Sequence, residues 1–408
     1  MNSNISVTCC EKELSLYNIV IPQSGTINEH FFAYQLRYHL YASFGYELKV
    51  VTDEGVPSSC EILVGKTSRT TVNVANNGFT VMATDCKLQF IACDMLGYEA
   101  MFDYAINSMF SAVKVRVCVE NGFSYTAEAP LKIENGTHFA THSYGSMRVM
   151  LWNVHGYENA VIRQPYQIEV IKTYKPAVLG IMEATAIYHK DFTPMLEGLG
   201  YTWIKTDTGE SDYTPLYYLD SEVTLKDWGR ILYAGANNSN SKSVSWAVFE
   251  DKVSGRLFAV LNTHFMWNAP SLAQGEADAT RVSNAHQLIK LKDDIVNKYP
   301  NASLIAGGDM NCKLGSNPHN VLLNGKLIPA WEKARVKNNS VGYHCYSTYS
   351  QEHKCFVDWK DVYEGSFVNS IDHAYVTPDT VVKAFSSISS LYCLFTSDHM
   401  PLLIEIQP

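Results

Sequence analysis

Along the first 134 positions the apolar residues follow two alternating rhythms. Leu16 to Ile21 is a short apolar run and predicts a strand, while Asn28 to Phe44 places Phe32, Leu36, Leu40 and Phe44 four apart on one helical face. Gly45 then offers a left-handed cap. Tyr46 to Thr52 alternates as a strand, Glu61 to Val64 reads as a buried strand, and Phe79 to Ala83 with Lys87 to Ala92 reads as a hairpin. A second helix is expected over Gly97 to Phe110, followed by Val113 to Val119, where charged and apolar residues alternate as in a half-exposed strand.

The stretch 135 to 146 is small, polar and without apolar period, which predicts a linker between an α+β domain over 1–134 and a second domain over 147–408. In the second domain short apolar strands recur: Val149 to Trp152, Val178 to Met182, Phe258 to Leu261, Leu304 to Ala306, His373 to Val376 and Leu402 to Ile406. Helical patterns lie between them at Gln164 to Tyr174 and Ala273 to Lys298. Buried strands alternating with amphipathic helices predict α/β sheets covered by helices.

Composition narrows the class. The 408 residues are 46% hydrophobic and 18% charged, a globular profile, and a formal net charge of −9 excludes a broad basic face for gripping nucleic acid. A phosphate ligand must therefore be held by local groups or by metal. No run reaches the length of a membrane span, and the start lacks a basic segment followed by an apolar one. The expectation is a cytoplasmic protein, or a secreted one if a leader was trimmed. Ten scattered Cys fit reduced thiols better than a disulfide framework.

The chemistry sits where the strands end. Trp152 is followed by Asn153, Met182 by Glu183, Leu261 by Asn262-Thr263-His264, and Gly308 by Asp309-Met310-Asn311; Asp398-His399 precede the last strand. Strand ends on one sheet edge converge, so these groups can line a single cleft. Carboxylates crowded together raise one another's pKa unless a cation neutralises them, and hard oxygen ligands favour Mg²⁺ or Mn²⁺. Each residue also has a plainer use. Asn153 can satisfy a strand end, Asp309 to Asn311 can form a turn, and a single His is more often structural than catalytic.

The blocks WNVHG (152–156), GIMEA (180–184), NTHF (262–265), GGDMN (307–311), SIDHAYV (370–376) and SDHMPL (397–402) occur in an order that resembles the endonuclease/exonuclease/phosphatase superfamily, the deoxyribonuclease I-like fold. The resemblance covers about 147–408. It implies a four-layered α/β sandwich of two mixed sheets that hydrolyses phosphoesters with Mg²⁺. It further implies that Asn153 and Glu183 bind metal with Asp398 as a second acidic metal-side residue, and that Asp309 orients or deprotonates the attacking water. Asn311 would hold a phosphate oxygen, with His264 and His399 as the catalytic imidazoles and Asp372 orienting His399. Where many relatives carry an Arg before the NTH strand, KSVSW (242–246) offers Lys242 and Ser243. In the loop 343–355, His344, Cys345, His353 and Cys355 are too irregularly spaced for a regular zinc motif and suggest a substrate-side loop instead.

Residues 16–111, with EILVGKT at 61–67, resemble the noncatalytic N-terminal domain of family 67 α-glucuronidases and related glycoside hydrolases. That resemblance implies an accessory domain with a possible glycan contact. Tyr157, Trp203, Tyr213, Tyr217, Tyr218, Trp228, Trp267, Tyr343 and Tyr346 fall in or near the cleft loops, where rings can stack on bases or sugars, though most such rings pack internally. The sequence thus leads to a metal-dependent phosphoesterase, a phosphodiesterase first. A phosphomonoesterase on a sugar, inositol or lipid headgroup, a nuclease, and an inactive binding protein remain as alternatives. Oligomeric state is open.

Overall fold

A computed structural model describes residues 6–74, 78–111, 116–128, 146–206, 211–235, 237–273, 275–338, 344–363 and 370–408. The chain divides into two compact units, Met1–Lys132 with Thr348–Asp358, and Ile133–Ser347 with Trp359–Pro408. Residues 135–145 of the expected linker lie outside the described residues. The segment Thr348–Asp358 departs from the expected partition, because it packs with the first unit. The His353 ring lies 5.1 Å from Tyr38 and 5.2 Å from Tyr41, and Lys354 sits 6.0 Å over Tyr34.

In the first unit, six strands order as Val50–Thr52, Asn18–Ile21, Glu61–Val64, Lys87–Ala92, Gly78–Thr84 and Ser124–Glu128. The first four run parallel and the last two pair antiparallel, as the predicted hairpin requires. The helix Ile27–Phe44 opens on a capping box, with Thr26 and Glu29 each satisfying the other's backbone N–H, and closes on Gly45 at φ 79°. Its Phe32 ring meets Phe90 of the sheet and Tyr98 and Phe102 of the helix Met95–Tyr104. The strand expected over 46–52 is confined to Val50–Thr52, while the Tyr46 hydroxyl receives the Val7 N–H and donates to Glu13.

The second unit is a sandwich of two mixed sheets. One has seven strands in the order Tyr201–Trp203, Leu216–Leu219, Val178–Met182, Met147–Asn153, Leu402–Gln407, Val381–Ser387 and Val336–Asn338. The other has six: Val223–Leu232, Ser243–Asp251, Leu257–His264, Ser303–Asp309, Asp372–Val376 and Ile328–Pro329. Val149, Leu151, Val260, Ile305 and Ile404 share the core between them. On the outer face of the six-stranded sheet, Ala285, Leu288 and Ile295 of the helix Glu276–Lys298 pack on Val248, Ala259 and Leu304. The helix Ala186–Gly198, absent from the sequence expectation, carries Pro194 within it and buries Phe192 and Leu196. No helix among the described residues is long and apolar enough to cross a membrane.

This topology positions the polar residues. Met147–Asn153 and Val178–Met182 run parallel in one sheet, as do Leu257–His264 and Ser303–Asp309 in the other. They deliver residues at their C-terminal ends. The antiparallel strands Asp372–Val376 and Leu402–Gln407 deliver residues at their beginnings. All of these ends lie on one rim of the sandwich.

In the first unit Glu61 is almost wholly buried, and it ties Arg69 at 2.6 Å and Lys87 at 2.7 Å while accepting the Ser58 N–H. Glu61→Ala leaves two cations facing a vacated site. The expected cost is about 3–5 kcal/mol, read as a lower denaturation midpoint for this unit; an unchanged midpoint would show the network to be dispensable.

Candidate active site

The rim gathers its polar side chains around one carboxylate. Asp309, 2% exposed, ends its strand with Oδ2 accepting the Asn153 amide at 3.0 Å and lying 3.3 Å from His264 Nε2 and 3.8 Å from His399 Nε2. The same Asn153 Nδ2 reaches Glu183 Oε1 at 3.2 Å, so one amide bridges carboxylates from two strands. Opposite, His399 Nδ1 pairs with Asp372 Oδ2 at 2.7 Å. Ser397 fixes this corner by donating to the Asn153 carbonyl at 2.6 Å and accepting the His399 N–H at 3.1 Å.

The backbone is shaped for close approach. Gly308 has φ 139°, and a Cβ there would run into the Thr263 carbonyl of the neighbouring strand. Gly156 lies against the Glu183 carbonyl in the same way. Glu183, His155 and Asn311 all take positive φ (63°, 50° and 50°), a cluster of non-glycine strain on one rim. Asn311 bonds its own N–H to Asp309 Oδ1 at 2.9 Å and its amide to the Phe265 carbonyl at 3.1 Å.

Electrostatics bind the group together. Burial pushes the Asp309 carboxyl upward, but His399, His264 and Lys242 outweigh it and hold it well below the usual carboxylate range. Burial pulls His399 downward, and Asp372, Asp398 and Asp309 overcome that, leaving it well above the ordinary imidazole value. Both shifts favour an ionised Asp309 facing a protonated His399.

Lys242 completes the cluster. Its Nζ lies 2.6 Å from His264 Nε2, it is 5% exposed, and burial lowers it to about 8 against the pull of Asp309 and Glu183. The sequence flagged Lys242 only as a substitution for an expected Arg; two antiparallel strands, Ser243–Asp251 and Leu257–His264, carry it back across 22 residues to His264. His155 was not anticipated either. Arg163 holds its carbonyl, and its ring faces Asp398 at 3.6 Å. Burial lowers the His155 pKa, Asp398 opposing and Arg163 reinforcing.

The expected residues therefore meet, with one difference of placement. Glu183, His264 and Asp309 bring ligand atoms within 4.8 Å of one another, as do Asp309, Asp372 and His399, whereas Asp398 lies between His155 and His399 and in neither group. Two carboxylates and an imidazole suit a small hard divalent cation; the His264 atom facing Asp309 is Nε2, while the buried Nδ1 has no hydrogen-bond partner among the described residues. In the second group the tight Asp372–His399 pair reads as an oriented imidazole rather than a metal seat. Among the aromatics, Tyr157, Trp228 and Trp267 are exposed, Tyr217 is buried, and Trp203 stacks on His189 at 4.7 Å. Tyr343 and the Tyr346 side chain lie outside the described residues, as do the side chains of His344 and Cys345. Cys355 is buried, and the nine described cysteines carry no disulfide.

Solved structures share this architecture. An endonuclease/exonuclease/phosphatase from Bacteroides vulgatus superposes with a TM-score of 0.51 at 20% identity, covering 64% of this chain and 98% of that one. An endonuclease/exonuclease/phosphatase family protein from Bacteroides thetaiotaomicron gives 0.51 at 18% identity, over 65% and 96%. The second unit thus shares the fold of these structures, a mixed α/β sandwich of the deoxyribonuclease I-like kind. No protein-family model and no curated protein matches the sequence.

The Asp372–His399 pair makes a test. Asp372→Asn should move the His399 titration, followed by imidazole NMR, down toward the ordinary value of about 6.5. A raised imidazole stabilises the fold at pH below its unfolded value and loses that contribution as pH rises through the folded one, so the substitution should destabilise most in acid. An unmoved titration would remove Asp372 from this role.

Proposed function

We propose that the second unit hydrolyses a phosphoester with a bound divalent cation, Mg²⁺ or Mn²⁺. The observation that carries this is the convergence of Asn153, His264 and His399 on the buried Asp309 carboxylate, with Glu183 tied to the group through the Asn153 amide. Glu183, with the Asn153 amide and His264 beside it, would hold the cation, which would supply Lewis-acid charge to the phosphoryl oxygens and leave Asp309 for the water. A protein-bound anion with these neighbours has a narrow range of uses.

The chain's own groups take the remaining parts. Asp309, kept ionised, accepts a proton from water aimed in line at phosphorus. His399, kept protonated and oriented by Asp372, donates to a phosphoryl or leaving oxygen. Lys242 contributes a buried ammonium to a non-bridging oxygen, the part assigned by resemblance to an Arg. Asn153 keeps Glu183 and Asp309 apart and oriented. Phosphodiesters are the first substrate class and monoesters the second; a complete set of metal, base and acid groups disfavours an inactive binding protein. The first unit would serve as an accessory domain, and a glycan contact through it, suggested by sequence resemblance alone, is testable by retardation in glycan-containing gels.

Chelation by EDTA should abolish turnover of bis-nitrophenyl phosphate and nitrophenyl phosphate, and Mg²⁺ or Mn²⁺ should restore it. Glu183→Gln and Asp309→Asn should each lower kcat by roughly 10²–10³-fold. Full activity in either variant, or in EDTA, rejects the assignment. Because Lys242 loses its proton as pH rises through about 8, KM should climb above that pH, and Lys242→Arg should flatten the rise. A KM independent of pH in the parent protein would take Lys242 out of substrate binding.

A further inference from the structure

Two exposed rings lie on loops that leave the strands ending in Asn153 and His264. Trp267 is 50% exposed and follows His264 by three residues, on a loop leaving the six-stranded sheet; Tyr157 is 56% exposed and follows Asn153 by four, on a loop leaving the seven-stranded sheet. A chain extends at most about 3.6 Å per residue, so the two α-carbons lie within about 11 Å and 14 Å of those of His264 and Asn153. Tyr157 is closer than that limit, since its N–H turns back to the His155 carbonyl at 2.9 Å.

The Trp267 loop is held from several sides. Arg281, itself 7% exposed, donates to the Met266 carbonyl at 3.2 Å and to Asn268 Oδ1 at 2.9 Å. The Met266 N–H reaches Asn284 Oδ1 at 3.2 Å, and Asn311 ties the Phe265 carbonyl. Large apolar rings left in water cost stability, and a loop pinned by a buried guanidinium loses the freedom to fold its ring away. With Asn268 Oδ1 occupied by Arg281, the Nδ2 of that exposed residue, next in sequence to Trp267, keeps its donors for a ligand oxygen. A flat apolar face next to an amide donor matches a ring that bears hydroxyl or carbonyl groups.

We propose that Trp267 and Tyr157 form a ring-binding subsite of this site, so that the substrate is an organic phosphate whose alcohol carries a ring, a pyranose or a nucleobase, rather than an open-chain headgroup. The inference rests on the phosphoesterase reading for its location. The formal net charge of −9 agrees with a small, singly phosphorylated ligand in preference to a polyanion.

The test compares glucose 6-phosphate and adenosine 5′-monophosphate with glycerol 3-phosphate, each also as its methyl diester, using the full chain with Mg²⁺. The ratio of kcat/KM for a ring ester over the glycerol ester should exceed about tenfold, fall severalfold or more in Trp267→Ala and Tyr157→Ala, and recover largely in Trp267→Phe. Which ring ester leads distinguishes sugar from base. A parent ratio near one, or a ratio untouched by both alanine variants while their melting is unchanged, overturns the subsite. Binding is followed separately in EDTA by indole fluorescence: quenching by the ring esters but not by glycerol 3-phosphate, lost in Trp267→Phe, supports the subsite even where no ester is turned over, which would count against hydrolysis alone. Absence of any such difference in binding counts against the subsite.

Discussion

The second unit is organised around the cost of burying Asp309. A carboxylate with almost no solvent contact is tolerated only when donors and cations surround it, and here the Asn153 amide, two imidazoles and the Lys242 ammonium do so. Those partners come from different strands and different sheets. The sandwich must therefore close in one register for the charge to be compensated, and the same closure that stabilises the fold assembles the candidate site. A bound cation would add to this balance rather than create it.

The compensation has direction as well as magnitude. His399 is drawn to its protonated form by three carboxylates, while Asp309 is drawn to its ionised form by the cations it faces. A protonated imidazole and an ionised carboxylate are thereby favoured 3.8 Å apart. Positive φ at His155, Glu183 and Asn311 indicates backbone held at the rim by its surroundings, with Gly156 and Gly308 admitting the close strand contacts. Local strain and buried charge are set against the apolar core between the sheets.

Much of the site was legible because Asn153, Glu183, His264 and Asp309 fall at or just past strand ends. WNVHG, NTHF and GGDMN announce both a strand and the polar residue that finishes it, and Met147–Asn153, Leu257–His264 and Ser303–Asp309 end as those blocks suggest. Val223–Leu232 was less visible: its residues alternate in exposure and include Lys226, Asp227 and Arg230, as befits a sheet edge. The helix Ala186–Gly198 was obscured by Pro194 and by polar residues facing outward. His155 gave no signal beyond its block, since its interest depends on Asp398, 243 residues away in sequence and 3.6 Å away in space.

Periodicity and residue type, which are local, determined the strands, the long helices, the capped ends and the chemical kinds available at the rim. Pairwise geometry depends on which strands lie together. Only the tertiary structure decided that Lys242 touches His264, that Asp398 faces His155 and His399, that Thr348–Asp358 packs with the first unit, and that Trp267 stays exposed on a pinned loop. Each of these turns on a contact between residues far apart in the chain, and a linear pattern carries no record of such distances.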